Sequence, residues 1–182
     1  MMKRMCLIGV CIAIVLTVTG CGDQSAVDVL PYSLSFGDSY ETAVSKNSNM
    51  SKLSPVDSDD SYISVAFVDD TFICDHFALS DDVVLRKTAS VSYYFNQDEK
   101  LYEFFAFAYA DKEGVAEKAF NEIIRYYEGK LGAEAETVEI DTGLKGLVTT
   151  ERYRAEVYIR ETPSGAWVLE IMAHDNDYDL DS

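Results

Sequence analysis

The chain has 182 residues, with 32 acidic against 15 basic side chains and a formal net charge of −17. So negative a surface repels phosphate backbones, which argues against nucleic-acid binding, and anionic lipid headgroups repel it too. Two histidines and four cysteines leave few candidates for metal or thiol chemistry.

Lys3 and Arg4 start the chain with positive charge, and an apolar run follows from Leu7 to Leu16. That is the layout of a secretory signal peptide, too short to cross a bilayer as a helix. The run Val18-Thr19-Gly20-Cys21 comes next. It resembles the lipobox of bacterial prolipoproteins: an aliphatic residue, a small residue, Gly or Ala, then the lipidated Cys. The resemblance implies cleavage between Gly20 and Cys21, a diacylglyceryl thioether on Cys21, and a lipid-anchored protein on the extracytoplasmic side of a bacterial membrane. A single acyl chain anchors marginally, whereas two hold stably. Cys6 and Cys11 would leave with the signal and Cys21 would carry lipid, so Cys74 is left with no cysteine to pair with. A mature chain of roughly 160 residues can bury roughly 70% of its unfolded surface and needs no such staple.

Residues 21–35 read as the lipidated Cys and a tether, reaching roughly 20 Å as a flexible coil. Residues 36–174 read as one domain. Asp38 or Ser39 can cap a short helix carrying Tyr40, Ala43 and Val44, and Asp38 with Glu41 has capping-box spacing. A Ser-, Asn- and Asp-rich loop around Pro55 precedes alternating Ile63, Val65 and Phe67, a half-buried strand pattern. Strands are expected next over Phe72 to Leu79 and through Val91, Tyr93 and Phe95. The turn Asn96 to Lys100 makes a hairpin with Leu101 to Tyr109. Phe104, Phe105, Phe107 and Tyr109 put bulk on both faces of that last strand, so it should lie centrally and form the heart of the core.

Asp111 is placed to cap a helix running to Leu131, in which Ala116, Phe120, Ile123 and Tyr127 recur at helical spacing. Gly132 suits its left-handed C-terminal cap. Strands follow near Thr137 to Ile140, Leu147 to Glu161 and Ala166 to His174, the last two joined by a turn at Pro163-Ser164-Gly165. Ala155, Val157 and Ile159 would face the core with Trp167, Leu169 and Ile171. The order gives an α+β fold: an antiparallel sheet of six to seven strands with two helices on one face, in two helix-plus-meander halves. Residues 175–182 make an acidic tail.

The stretch Ser35-Phe36-Gly37-Asp38-Ser39-Tyr40-Glu41-Thr42-Ala43-Val44 is similar to the Gly-Met-Ser/Thr-x-x-x-Val helix of small exported bacterial domains. Among these are the SmpA-type lipoproteins and the β-lactamase-inhibitor-protein-like fold. Asp38 replaces the usual Met, and no Leu-Gly-x-Pro follows. The resemblance implies helices against an antiparallel sheet and a role in binding proteins.

Cys74 and His76, two apart in an expected strand, would share a face. They are the one candidate nucleophile and base pair, and the basis of an alternative reading as a cell-envelope hydrolase or thiol enzyme. No third ligand stands at metal-site spacing. Asp175, Asp177 and Asp179 match the first positions of an EF-hand loop, but Leu180 stands where Gly is needed and no twelfth-position Glu follows. Repulsion should instead keep this tail extended, and Asp57-Ser58-Asp59-Asp60 reads the same way. No Gly-rich phosphate loop, Gly-x-Ser-x-Gly or His-Glu-x-x-His occurs. No cofactor and no metal are expected. Twelve tyrosines are the unusual enrichment. Tyrosine suits both half-buried strands and binding surfaces, so Tyr94, Tyr102 and Tyr158 on the solvent side of the sheet are the candidate surface of a non-enzymatic protein-binding or structural module.

Overall fold

The computed structural model describes residues 28–47, 56–57, 63–68, 72–86 and 90–178. The signal segment with Gly20 and Cys21, most of the loop around Pro55, and residues 179–182 lie outside them.

The fold is α+β. Its elements in chain order are α1 (Tyr40–Lys46), β1 (Val56–Asp57), β2 (Ile63–Val68), α2 (Phe72–His76), β3 (Ser90–Phe95), β4 (Leu101–Ala110), α3 (Glu113–Leu131), β5 (Glu136–Ile140), β6 (Gly143–Thr149), β7 (Tyr153–Glu161) and β8 (Trp167–Asp175). The eight strands form one sheet in the order β1-β2-β3-β4-β8-β7-β6-β5, antiparallel throughout. Each half is thus a meander that begins at an outer edge, and the two final strands, β4 and β8, pair at the centre. The helix α3 is the crossover from the centre of the sheet to its far edge.

All three helices share one face. Tyr40 of α1 packs edge-on against the fully buried Phe95, Phe72 of α2 packs on Phe104, and α3 lies across β6, β7, β8 and β4. The core lies between them and includes Tyr93, Phe104, Phe120, Ile123, Val157, Ile159, Leu169 and Ile171. Val157 stands opposite Ile171 and Ile159 opposite Leu169, on the core side as expected. Gly146 is what lets α3 settle on β6: a Cβ there would sit 2.3 Å from Ile124 Cδ1 and 2.9 Å from Phe120 Cζ.

Local chemistry explains the ends. Ser39 caps α1, its Oγ accepting from the Thr42 amide at 3.2 Å, while Asp38 accepts from the Ser35 amide and pairs with Lys46. Gly132, at φ 66°, closes α3 through its amide to the Glu128 carbonyl. Asn96 Oδ1 organises the β3–β4 turn by accepting from the amides of Asp98 and Lys100.

Several expectations are corrected. Phe72 to His76 is helix, not strand: Phe72, Ile73 and Phe77 are the buried positions, a helical period that the alternation of Phe72, Cys74 and His76 conceals. The single strand from Leu147 to Glu161 is two, broken where Thr150 Oγ1 takes the Tyr153 amide at 2.8 Å. The first position outside α3 is Lys112, with no side-chain cap, because Asp111 is engaged by Arg86. The ordered domain also reaches further at both ends. Val29, Leu30 and Leu34 are buried in the core, so the tether is shorter than residues 21–35. Asp175 is fully buried, held by Arg152 Nη2 at 3.0 Å, and Asn176–Tyr178 forms a 3-10 turn rather than an extended tail.

Candidate functional site

Strict alternation along β4 sends Phe104, Ala106, Ala108 and Ala110 into the core and Glu103, Phe105, Phe107 and Tyr109 to the opposite face. Among the described residues no helix covers that second face. Across the strand pairing, Phe105 stands opposite Met172, Phe107 opposite Glu170 and Tyr109 opposite Val168. The aromatic row with Val168 and Pro163 walls a groove of about 640 Å³. Its rings do not share a plane. Phe105 and Phe107 have centroids 6.2 Å apart at 47°, and Phe107 and Tyr109 5.9 Å apart at 87°. Thr142, Glu161 and Thr162 form its rim, and Arg160 on it is held by Glu170 at 2.5 Å.

Beside the groove the same face is charged and self-satisfied. Glu156, 5% exposed, accepts from Lys145 Nζ at 2.9 Å and is also bound by Arg154 and the Tyr158 hydroxyl. Burial pushes the Glu156 carboxyl up, but the Tyr158 and Lys145 hydrogen bonds and the Arg154 charge outweigh it and hold it below the usual carboxylate range. Lys145 in turn sits 5.0 Å over the Tyr158 ring. On this face Glu156 is thus paired with Lys145 and Arg154, and Glu170 with Arg160.

The three tyrosines singled out in the sequence sit in different surroundings. Tyr94 is half-buried on the open face, opposite Glu103. Tyr102 is buried at a β-bulge, edge-on to His174. Tyr158 is half-buried and committed to Glu156. The groove is lined instead by Phe105, Phe107 and Tyr109, which sequence reasoning assigned to the core. Their odd numbering on a strand whose even positions turn to alanine was the available signal.

Cys74 and His76 do not form a pair. Two residues apart on a helix, they point roughly 200° apart. Burial, then the neighbouring Asp75 charge, pushes the Cys74 thiol up, the wrong direction for a nucleophile. His76 meets Tyr126 at 3.2 Å, stacks on Phe72 and abuts Phe77, and burial lowers its pKa. His174 is on the open face beside Glu103, across the sheet from both. Asp175 and Asp177, candidates for calcium ligation, are both engaged by Arg152. Among the described residues, no group of three His, Cys, Asp or Glu side chains is arranged to hold a metal ion, and no helix is long and apolar enough to cross a membrane.

No family model, curated protein or solved structure matches this chain.

Proposed function

We propose that this protein is a bacterial lipoprotein, anchored through Cys21 on the extracytoplasmic side, that works by binding a protein partner on the open face of its sheet. The anchor rests on Lys3 and Arg4, the apolar run to Leu16, and Val18-Thr19-Gly20-Cys21. The observation that carries the binding role is the groove itself. Three large aromatics stand half-exposed in a row on a face with no helix over it among the described residues. Aromatic side chains of this size each bring 150–250 Å² of contact area, roughly, and dominate interface energetics.

Two experiments test the two parts. Intact mass of the protein from native-host membranes should begin at Cys21 and carry a diacylglyceryl adduct that Cys21→Ala lacks. An unlipidated chain retaining residues 1–20 would refute the anchor. For binding, a photo-crosslinking amino acid replacing Phe107 should give a discrete protein adduct in intact envelopes, and the same group replacing the exposed Glu117 should not. Absence of any adduct at Phe107 would refute the binding role.

A further inference from the structure

The chain enters the domain through a segment built to come away by itself: we infer that residues 28–34 form a strained strap that lifts from the helix layer as one unit while the sheet stays folded. Release frees about seven residues and adds up to roughly 25 Å of chain ahead of the domain. The inference is independent of the groove and of what binds there.

The backbone supplies the first argument. Among the described residues, no backbone hydrogen bond joins 28–34 to the sheet, and the Leu34 amide bonds only within the strap, to the Pro31 carbonyl at 3.1 Å. Directly afterwards the chain is clamped. Phe36 stacks on Tyr153 with centroids 5.9 Å apart, the Gly37 amide donates to the Leu101 carbonyl at 2.8 Å, and the Leu101 amide donates to the Asp38 carbonyl at 2.9 Å. The strap therefore has a fixed end, and opening stops there.

Strain is the second argument. Tyr32 and Ser33 stand side by side at φ 59° and 56°, both left-handed and neither glycine. In that conformation the Cβ crowds a carbonyl oxygen, so such residues persist only where their surroundings hold them. An open strap lets both relax.

The third argument is what does the holding. Val29, Leu30 and Leu34 are each 1% exposed, and these buried side chains keep the strap closed most of the time. The Tyr32 ring lies over Phe72 at 5.7 Å and 21°, and Phe72 stacks on His76 at 5.7 Å and 14°. The Val29 backbone hydrogen-bonds the His76 ring. The ring stack and the Val29 bond both fall on one short helix, α2, so they are made and lost together.

The test uses the full chain and thiol labelling, each site being read by mass from its own proteolytic peptide. Val29→Cys reports the strap. Ala173→Cys, in the core on β8, reports the sheet, and Ala110→Cys on β4 replaces it should it fail to fold. Val29→Cys should label at least about a hundredfold faster than the sheet reporter. Dilute urea should leave the rate at Val29→Cys unchanged and raise the rate at the sheet reporter, because lifting the strap exposes little surface. Leu169→Ala should speed labelling of the sheet reporter and leave that of Val29→Cys unchanged. Ser33 is exposed, so Ser33→Gly relieves the left-handed backbone without emptying the core, and it should slow labelling at Val29→Cys severalfold. Equal rates and equal urea slopes at the two sites would overturn the strap as a separate unit. An unchanged rate at Val29→Cys in the Ser33→Gly background would overturn strain as what opens it.

Discussion

The two faces of β4 differ in a way that solvent exposure alone does not explain. Beneath the helices the strand carries Phe104 and then three alanines, all essentially fully buried. On the open side it carries Phe105, Phe107 and Tyr109, half-buried. The bulk is therefore on the face that no described helix covers. Small residues on the helix side serve close approach, the same demand that places Gly146 under Ile124 and Phe120. Large aromatics on the other side forfeit about 25 cal/mol for each Å² left in water. A face meant only for solvent gains from threonine, lysine or glutamate instead. The difference teaches that core formation is complete on one side of the sheet, while the other holds apolar surface for something else.

Carrying the comparison to β8 gives the largest expected effect. Leu169→Ala, on the core side, should cost about 2–5 kcal/mol in urea unfolding, whereas Met172→Ala, on the open side, should cost less than about 1 kcal/mol. Similar losses at both would break the distinction between the faces. Next in size is Gly146→Val, which pushes a side chain into α3 and should destabilise by about 1–3 kcal/mol by the same measurement. No change would mean that α3 is not pressed onto β6.

The smallest effect sharpens the picture of the open face by separating its charged cluster from its groove. The folded pKa of Glu156 lies below its unfolded value. Its stabilisation is therefore fully present above the unfolded pKa of about 4.3 and is lost as pH falls through the folded value. Glu156→Gln should cost on the order of 1 kcal/mol at neutral pH and flatten that acid limb. The photo-crosslink at Phe107 should be unchanged. An acid limb identical to that of the parent protein would show that Glu156 does not carry it.

Most of the sheet could be read from alternation, because β3, β4, β7 and β8 each bury every second residue. The long helix announced itself through Ala116, Phe120, Ile123 and Tyr127 and through Gly132 at its end. What failed was local competition between two periods. Phe72-Ile73-Cys74-Asp75-His76-Phe77 satisfies both a strand and a helix pattern, and only packing of Phe72 and Phe77 against Phe104 and Tyr127 decides it. The break at Thr150 is closed by the Thr150 amide donating to the Tyr153 carbonyl and the Tyr153 amide donating to Thr150 Oγ1, in a stretch with no Gly or Pro to mark it. The groove was illegible for a different reason. Bulk on both faces of β4 says that the strand is central, but which face receives the helices depends on the crossover through α3, a long-range fact. Arg154 and Arg160 are exposed on the open side and Tyr158 is half-buried there, whereas Glu156 between them is buried, and their neighbours across β8 are what make the face a site.

The measurement that tests the central claim most directly is urea unfolding of Phe104→Ala and Phe107→Ala side by side. The two are near neighbours on one strand and lose the same side chain. Phe104→Ala should lose about 3–5 kcal/mol and Phe107→Ala less than about 1 kcal/mol, with an unchanged m-value. Equal, large losses would contradict it, since Phe107 would then belong to a second core and the groove would not be an open face.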